Sequence, residues 1–306
     1  MGVITPNPMA SRDGAGRSGA VAAAFQGAAG AFSEAAAVAL VGERASTLPC
    51  TRFEEVFDAV ELGRAACAVV PVENTLAGTV HAVVDLLLAR DLVIVGETVL
   101  RIAHTLIGTP ESSLTGVRRV LSHPVALRQC TAFFEARPDV EAVPVFDTAG
   151  AVEMIVRAGD PADAAIAGER AAEVYGGKIL ARNLEDDPAN FTRFVRVVRR
   201  DTVPLRFDDG IGGVKTTIVF TVANRPGALL DCLQPFAARG IDLAKLESRP
   251  LRGSPFEYAF LADLVGDAAE SDVGAALAEL EQLTRSLRVL GSYPSAGSAY
   301  PGDAAV

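Results

Sequence analysis

Ala66-Cys67-Ala68-Val69-Val70-Pro71-Val72 runs directly into Glu73-Asn74-Thr75, and beyond that turn Val80, Val83, Val84, Leu87 and Leu88 recur at helical spacing. A short apolar run, a polar turn and a helix with one apolar side make one unit of an α/β fold. The unit repeats along the chain. Val117 to Leu121 is strand-like, Ser122-His123-Pro124 forms the turn, and Ala126 to Arg137 is helical, with Phe133 and Phe134 for the core. Val140 to Phe146 is the next strand, and Asp147-Thr148-Ala149-Gly150 opens another helix with capping chemistry. Upstream, Thr51 and Glu54 have capping-box spacing ahead of Phe53, Val56, Phe57 and Val60. Strands and helices therefore alternate from about residue 21 to 200. In open α/β sheets ligands bind beyond the carboxyl ends of strands, where helix N-termini favour anions. Each polar turn is thus a candidate site element and, equally, an ordinary helix cap.

A second unit begins after the linker Asp208, Asp209, Gly210, Gly212, Gly213. Lys215 to Val222 reads as strand, Gly227 to Arg239 as helix, and Asp242 to Leu251 and Phe256 to Val265 as two strands. Asp272 to Leu283 is helical and Leu287 to Tyr293 closes the unit as a strand. The order is βαββαβ, ferredoxin-like. Residues 1–19, rich in Gly, Pro, Ser and Ala, read as a flexible leader without a signal-peptide run, and 294–306 as a flexible tail.

Composition restricts the function classes. The chain has 306 residues, 50% hydrophobic and 22% charged, enough for two or three globular units. A formal net charge of −10 argues against a polyanion-binding surface, so neither nucleic acid nor a lipid surface is expected as a partner. The most apolar later region, Gly78 to Gly96, carries His81, Asp85, Arg90 and Asp91, which a membrane core would penalise. Cys50, Cys67, Cys130 and Cys232 are far apart with no CxxC and no histidine pairing, as expected of reduced thiols in the cytoplasm, and no metal site is expected. Gly27 and Gly30 are not followed by Lys-Ser or Lys-Thr, so a tight turn explains them better than a phosphate loop. The only histidines are His81, His104 and His123; a structural hydrogen bond suits His123, and the other two read as fillers.

Asn190-Phe191-Thr192-Arg193-Phe194 sets one hydroxyl and one guanidinium between aromatic rings, just after Glu185, Asp186, Asp187 and Pro188. Such a pair beside apolar walls can donate to an anion while excluding water, and the same alternation describes a half-buried strand.

Gln26-Gly27-Ala28-Ala29-Gly30-Ala31-Phe32-Ser33-Glu34-Ala35-Ala36, Val72-Glu73-Asn74-Thr75, Ser122-His123-Pro124, Asp147-Thr148-Ala149-Gly150 and Asn190 to Phe194, in this order, resemble prephenate dehydratase. The C-terminal unit is similar to its ACT regulatory domain, with Gly227-Ala228-Leu229-Leu230 and Glu247-Ser248-Arg249-Pro250 at the two effector motifs. Plant arogenate dehydratases, a sister group, resemble the chain in several of the same stretches. The resemblance implies a catalytic domain over 20–204 with two lobes, like a type II periplasmic binding protein, crossed near 100 and 178. It implies an ACT domain over 214–293, and a homodimer or homotetramer. The implied reaction turns prephenate into phenylpyruvate, water and carbon dioxide with no cofactor, with L-phenylalanine as effector; arogenate is the alternative substrate, and an amino-acid sensor without chemistry the alternative role.

By the same resemblance Thr192 donates to the leaving hydroxyl, with Glu73 as the rival proton donor and Asn74 beside them as catalytic. Ala31, Phe32, Ser33, Thr75, Ser122, Gln129, Thr148, Arg193 and Phe194 are the implied substrate contacts. Arg193 is open to two partners, a substrate carboxylate or the Glu185–Asp187 run. Asn224, Pro226 and the two effector motifs (Gly227, Ala228, Leu229, Leu230, Glu247, Ser248, Arg249, Pro250) form the implied sensor. Thr75 replaces the family's usual Ser, and Phe256 stands where Trp is frequent.

Overall fold

The computed structural model describes residues 21–203, 213–251 and 257–297. The expected leader, residues 204–212 of the linker, Phe256 and residues 298–306 of the tail lie outside the described residues. β1 (Val21–Gln26), α1 (Phe32–Val41), β2 (Thr47–Cys50), α2 (Phe53–Glu61), β3 (Ala65–Asn74), β4 (Gly78–Thr79), α3 (His81–Ala89) and β5 (Leu92–Arg101) form the first lobe. β1 pairs in parallel with β2 and β3, and β3 pairs on its other side with residues 192–197, so β3 is a central strand and its Val69, Val70 and Val72 are buried. The expected Thr51–Glu54 capping box does not form, and the N-cap of α2 makes no side-chain capping hydrogen bond. Arg52 is the N-cap of α2, and the carboxylate of Glu55 accepts from the Thr51 amide at 3.0 Å.

The second lobe holds β6 (Thr105–Gly108), β7 (Arg119–Ser122), α4 (Pro124–Arg128), α5 (Thr131–Ala136), β8 (Glu141–Pro144), α6 (Thr148–Ala158), β9 (Asp163–Ala167), α7 (Glu169–Tyr175) and β10 (Lys178–Ala181), with sheet order β10-β6-β9-β7-β8. The helix expected over 126–137 is broken at Gln129 and Cys130. Asp186, far along the chain, supplies the cap: its carboxylate accepts from the amides of Thr131 (2.8 Å) and Ala132 (2.9 Å). A cap from that distance leaves no local sequence signal.

β11 (Phe191–Arg199) returns to the first sheet and inserts between β3 and β5, antiparallel to both. The chain thus leaves the first lobe just past Arg101. It returns between Ala181 and Phe191, later than the expected 178, because β10 still pairs with β6 in the second sheet. Gly30 fixes how the lobes meet: at φ +83° it sits where an added Cβ would lie 2.7 Å from the Ala171 Cα of the second lobe.

The C-terminal unit has the expected βαββαβ order: β12 (Val214–Thr221), α8 (Ala228–Ala237), β13 (Leu243–Pro250), β14 (Tyr258–Val265), α9 (Ser271–Leu283) and β15 (Ser286–Pro294), with sheet order β13-β14-β12-β15. One face is closed by the two helices around Ile218, Phe220, Phe236, Leu264 and Leu280. The other lies on the first lobe, where Leu261, Leu290 and Tyr293 share a core with Val84, Leu87, Ile94 and Val195. Gly291 permits that approach, since a Cβ there would stand 2.0 Å from the Ile94 carbonyl oxygen. The sheet face and the first lobe therefore share one apolar cluster.

Candidate active site

β3 and β11 pair with Thr192 opposite Asn74 and Arg193 opposite Glu73. Side chains alternate across a strand, so neighbouring pairs serve opposite sides of the sheet. Asn74 and Thr192 line a cleft of about 390 Å³ between the lobes, whereas Glu73 and Arg193 do not line it. The stretch around Thr192 is thus both a strand and a wall of the cleft.

Asn74 is fixed at both ends of its amide. Its Oδ1 accepts from the backbone amides of Leu76 (3.0 Å) and Ala77 (2.8 Å), which can only donate. Its Nδ2 is therefore the donor, and it lies 2.9 Å from Thr192 Oγ1, 2.8 Å from Asn190 Oδ1 and 3.0 Å from the Phe191 carbonyl. With its oxygen already accepting from Asn74, the buried Thr192 hydroxyl has its own proton to offer the cleft.

Among the described residues, no Lys or Arg lines the cleft. The groups that can donate to an anion there are neutral or dipolar. α1 starts at Ala31 with no side-chain cap, and Ala31, Phe32 and Ser33 line the cleft at the positive end of the helix dipole. α6 differs: Asp147 caps it by accepting from the Gly150 amide and sets a carboxylate in the cleft beside Thr148. The α1 start is consequently the better seat for a carboxylate.

Both histidines of the second lobe reach this cleft. His123 caps α4, its Nδ1 accepting from the Val125 amide at 3.2 Å, which agrees with a structural hydrogen bond. His104 was expected only to fill space. It lines the cleft, stands edge-on to Phe32 at 5.9 Å, and its Nε2 lies 2.9 Å from Gln129 Oε1. Burial drives its pKa down against smaller opposing effects of Gln129 and Glu185, so the ring is neutral. Position in sequence could not separate these roles; only the apolar flank Ile102 to Ile107 hints that His104 is buried.

Ala31, Phe32, Ser33, Asn74, Gln129, Thr148, Thr192 and Phe194 are brought together in the cleft. Four expected residues lie elsewhere. The Thr75 hydroxyl donates to the Ala189 carbonyl (2.8 Å) and accepts from the Phe191 amide (2.9 Å), latching the turn after β3 to the approach of β11. Ser122 is buried and donates to the Ile166 carbonyl at 2.6 Å, tying β7 to β9.

Glu73 does not meet the condition for a proton donor. Burial pushes its pKa up, but Lys245 and Arg193 outweigh burial and hold the carboxyl below its ordinary value. Arg193 pairs neither with a cleft anion nor with the Glu185–Asp187 run. Its partners are Asp263 (2.9 Å), Glu97 (3.2 Å) and Glu73 (3.3 Å). Glu185 instead takes Arg101 at 2.6 Å and the His104 amide at 2.7 Å.

The two effector motifs also separate. Asn224, Ala228 and Leu229 line a hollow of about 180 Å³ at the start of α8, where Gly227 adopts φ +79°. Leu230 is exposed beside them. Glu247 and Arg249 face the first lobe instead, Glu247 accepting from Thr79 Oγ1 at 2.7 Å and Arg249 pairing with Asp85 at 2.7 Å. Ser248 and Pro250 alternate with them, exposed on the edge strand β13. Among the described residues, the hollow at α8 is lined by the first motif and not by the second.

A family model described as prephenate dehydratase matches residues 23–202, and one described as ACT domain matches 216–284. A bifunctional chorismate mutase/prephenate dehydratase of Aquifex aeolicus is 40% identical over 89% of this chain and 73% of its own length. An arogenate dehydratase/prephenate dehydratase of Arabidopsis thaliana, described as chloroplastic, is 38% identical over 95% of this chain and 78% of its own. Among solved structures, prephenate dehydratase from Arthrobacter aurescens in complex with L-Phe gives a TM-score of 0.80 at 34% identity, covering 90% of each chain. GqqA, described as a novel type of quorum quenching acylase, gives 0.80 at 39% identity over 89% of this chain and 97% of its own.

Proposed function

The chain belongs to the prephenate dehydratase family and carries an ACT domain, and on that premise we propose that it converts prephenate to phenylpyruvate, with residues 20–204 catalytic and 214–293 regulatory. The observation that carries the reading is the Thr192 hydroxyl, held by Asn74 with its proton free, in a cleft that lacks Lys and Arg. Loss of the ring carboxylate as carbon dioxide supplies the electron pair that expels the ring hydroxyl, and the ring becomes aromatic. The electrons balance without an external oxidant or reductant. The expelled oxygen leaves as hydroxide hydrogen-bonded to Thr192, then takes a solvent proton; the class is a carbon–oxygen hydro-lyase.

Each element has a task in that step. Thr192 donates to an oxygen whose negative charge grows as the bond breaks, so its hydrogen bond is stronger in the transition state than in the ground state. The α1 amides and Gln129 hold the side-chain carboxylate. Because no cation lines the cleft, the ring carboxylate meets apolar walls of Phe32, Val80 and Phe194, where its charge is poorly solvated and its conversion to neutral carbon dioxide is favoured.

Arogenate is the second reading, supported by Asp147. Only one of its oxygens is engaged at the α6 cap, and it is the acidic side chain of the cleft, suited to the ammonium that arogenate carries in place of the keto oxygen. Acyl transfer finds less support, because an attacking hydroxyl needs a base within hydrogen-bond reach and Thr192 has the donor Asn74.

L-Phenylalanine is the effector we assign to the hollow at α8. Since Ser248 and Pro250 lie on an exposed edge apart from it, a second copy of the chain completes the pocket, which makes the active form a homo-oligomer. The free cysteines support a cytoplasmic location, and no helix among the described residues is long and apolar enough to cross a membrane. Prephenate and arogenate, assayed side by side with and without phenylalanine, test both parts. Turnover of at least one substrate and its inhibition by phenylalanine are expected. No turnover overturns the catalytic reading, and no phenylalanine binding by calorimetry overturns the sensor.

A further inference from the structure

Among the described residues Asn190 and His104 make no side-chain hydrogen bond to Thr192 or to one another, yet one hydrogen-bonded chain links them to both walls of the cleft. Its polarity is set at one end by backbone. The Leu76 and Ala77 amides require Asn74 Oδ1 as acceptor, so Asn74 Nδ2 donates to Asn190 Oδ1. Asn190 is thereby oriented with its own Nδ2 toward Gln129 Oε1, at 3.2 Å, and this amide crosses from the first sheet to the second lobe. Gln129 Oε1 accepts there, so the His104 nitrogen 2.9 Å from it, Nε2, must carry a proton. In the neutral ring that leaves Nδ1 bare, and Nδ1 is buried with no hydrogen-bond partner. A second proton would have to sit on that buried, unpartnered nitrogen, which keeps the ring in one neutral tautomer.

We propose that Asn190 and His104 are positioning residues that pin the Gln129 amide, its oxygen held by two donors and its N–H pair turned into the cleft toward a substrate carboxylate. The inference rests on the reading of the cleft as the site for prephenate or arogenate. Two donors on one oxygen make the flipped amide costly, because a flip would set Gln129 Nε2 against Asn190 Nδ2 and His104 Nε2 together. Gln129 needs this support because it sits at the break between α4 and α5, where helix packing does not fix its side chain. The anion donor is thus aligned before substrate arrives.

Polarity-reversing and geometry-keeping variants test the assignment, read by steady-state kinetics on whichever substrate the wild type turns over. Asn190→Asp turns an acceptor toward Gln129 Oε1 and drives the amide over, so KM is expected to rise about ten- to a hundred-fold with a smaller change in kcat. His104→Gln keeps a donor at the place of Nε2 and is expected within about three-fold of wild-type KM, while His104→Ala behaves like Asn190→Asp. An unchanged KM in folded Asn190→Asp protein, or His104→Gln as impaired as His104→Ala, overturns the proposal. Nitrogen-15 NMR of histidine-labelled wild type provides a test that needs no variant: an Nε2-protonated His104 is expected across neutral pH, and an Nδ1-protonated ring overturns it. A wild type active on neither substrate counts against the proposed function, and the NMR result still decides the tautomer.

Discussion

Asn74→Asp is expected to lower kcat by about 10²- to 10³-fold, the size of effect seen when one preorganised donor is lost from an active site. The change is nearly isosteric, and the surviving carboxylate oxygen keeps the Leu76 and Ala77 amides. The other oxygen would face Thr192 Oγ1, Asn190 Oδ1 and the Phe191 carbonyl, which Asn74 Nδ2 meets at 2.8–3.0 Å. Two of those have no proton to give. Thr192 does, and its hydroxyl would turn toward the carboxylate and away from the substrate. Thermal melting should show a loss of about 1–3 kcal/mol, from acceptors left unpaired in a buried place. A folded variant with kcat within about three-fold of wild type would contradict the role given to the Asn74–Thr192 pair.

Arg193→Met is expected to cost about 3–5 kcal/mol of stability, as breaking buried ion clusters does, measured by denaturant unfolding. The Arg193 side chain is only 11% exposed and bridges Asp263 of β14, Glu97 of β5 and Glu73 of β3. Without it, Lys215 on Glu97 (2.9 Å) and Lys245 on Glu73 (3.2 Å) remain, and Asp263 keeps the Thr217 hydroxyl at 2.6 Å but, among the described residues, no cation. The cluster also has a pH signature. Burial raises the Glu97 pKa, but Lys215 and Arg193 outweigh it and hold the carboxyl below its ordinary value. A depressed carboxyl stabilises the fold fully above its unfolded value and loses that contribution as pH falls through the folded one. Acid unfolding of Arg193→Met is therefore expected at higher pH than that of wild type. If both unfold at the same pH with the same denaturant midpoint, the cluster does not join the ACT domain to the first lobe as described.

Arg193 joins the strand that walls the cleft to the ACT domain. Thr192 and Arg193 are consecutive on β11, opposite Asn74 and Glu73 on β3, so one strand pair carries cleft groups on one side and ACT-facing charges on the other. Displacement of β13 or β14 by an effector would act on Glu73 through Lys245 and on Arg193 through Asp263.

Local pattern revealed what local physics determines. The strand–turn–helix run around Asn74 and the βαββαβ order of the ACT domain follow from periodicity and turn residues, and Thr192 and Asn74 stood out in short polar motifs. Distance along the chain concealed the rest. The break at Gln129 follows from a cap supplied by Asp186, and His104 acquires its tautomer from a chain of amides that begins at Leu76. Alternation explains where Arg193, Glu73, Glu247 and Arg249 sit. Sequence proximity to Thr192 or to an effector motif suggested ligand contact, but each of these residues faces the seam between the domains.

The most direct measurement is the rate of phenylpyruvate and carbon dioxide release from prephenate by wild type and by Thr192→Ala, with KM determined for each. The hydrogen bond from Thr192 predicts equimolar products from wild type and, for Thr192→Ala, a kcat lower by about 10²- to 10³-fold with KM little changed. A Thr192→Ala protein as fast as wild type, or products in unequal amounts, would contradict it.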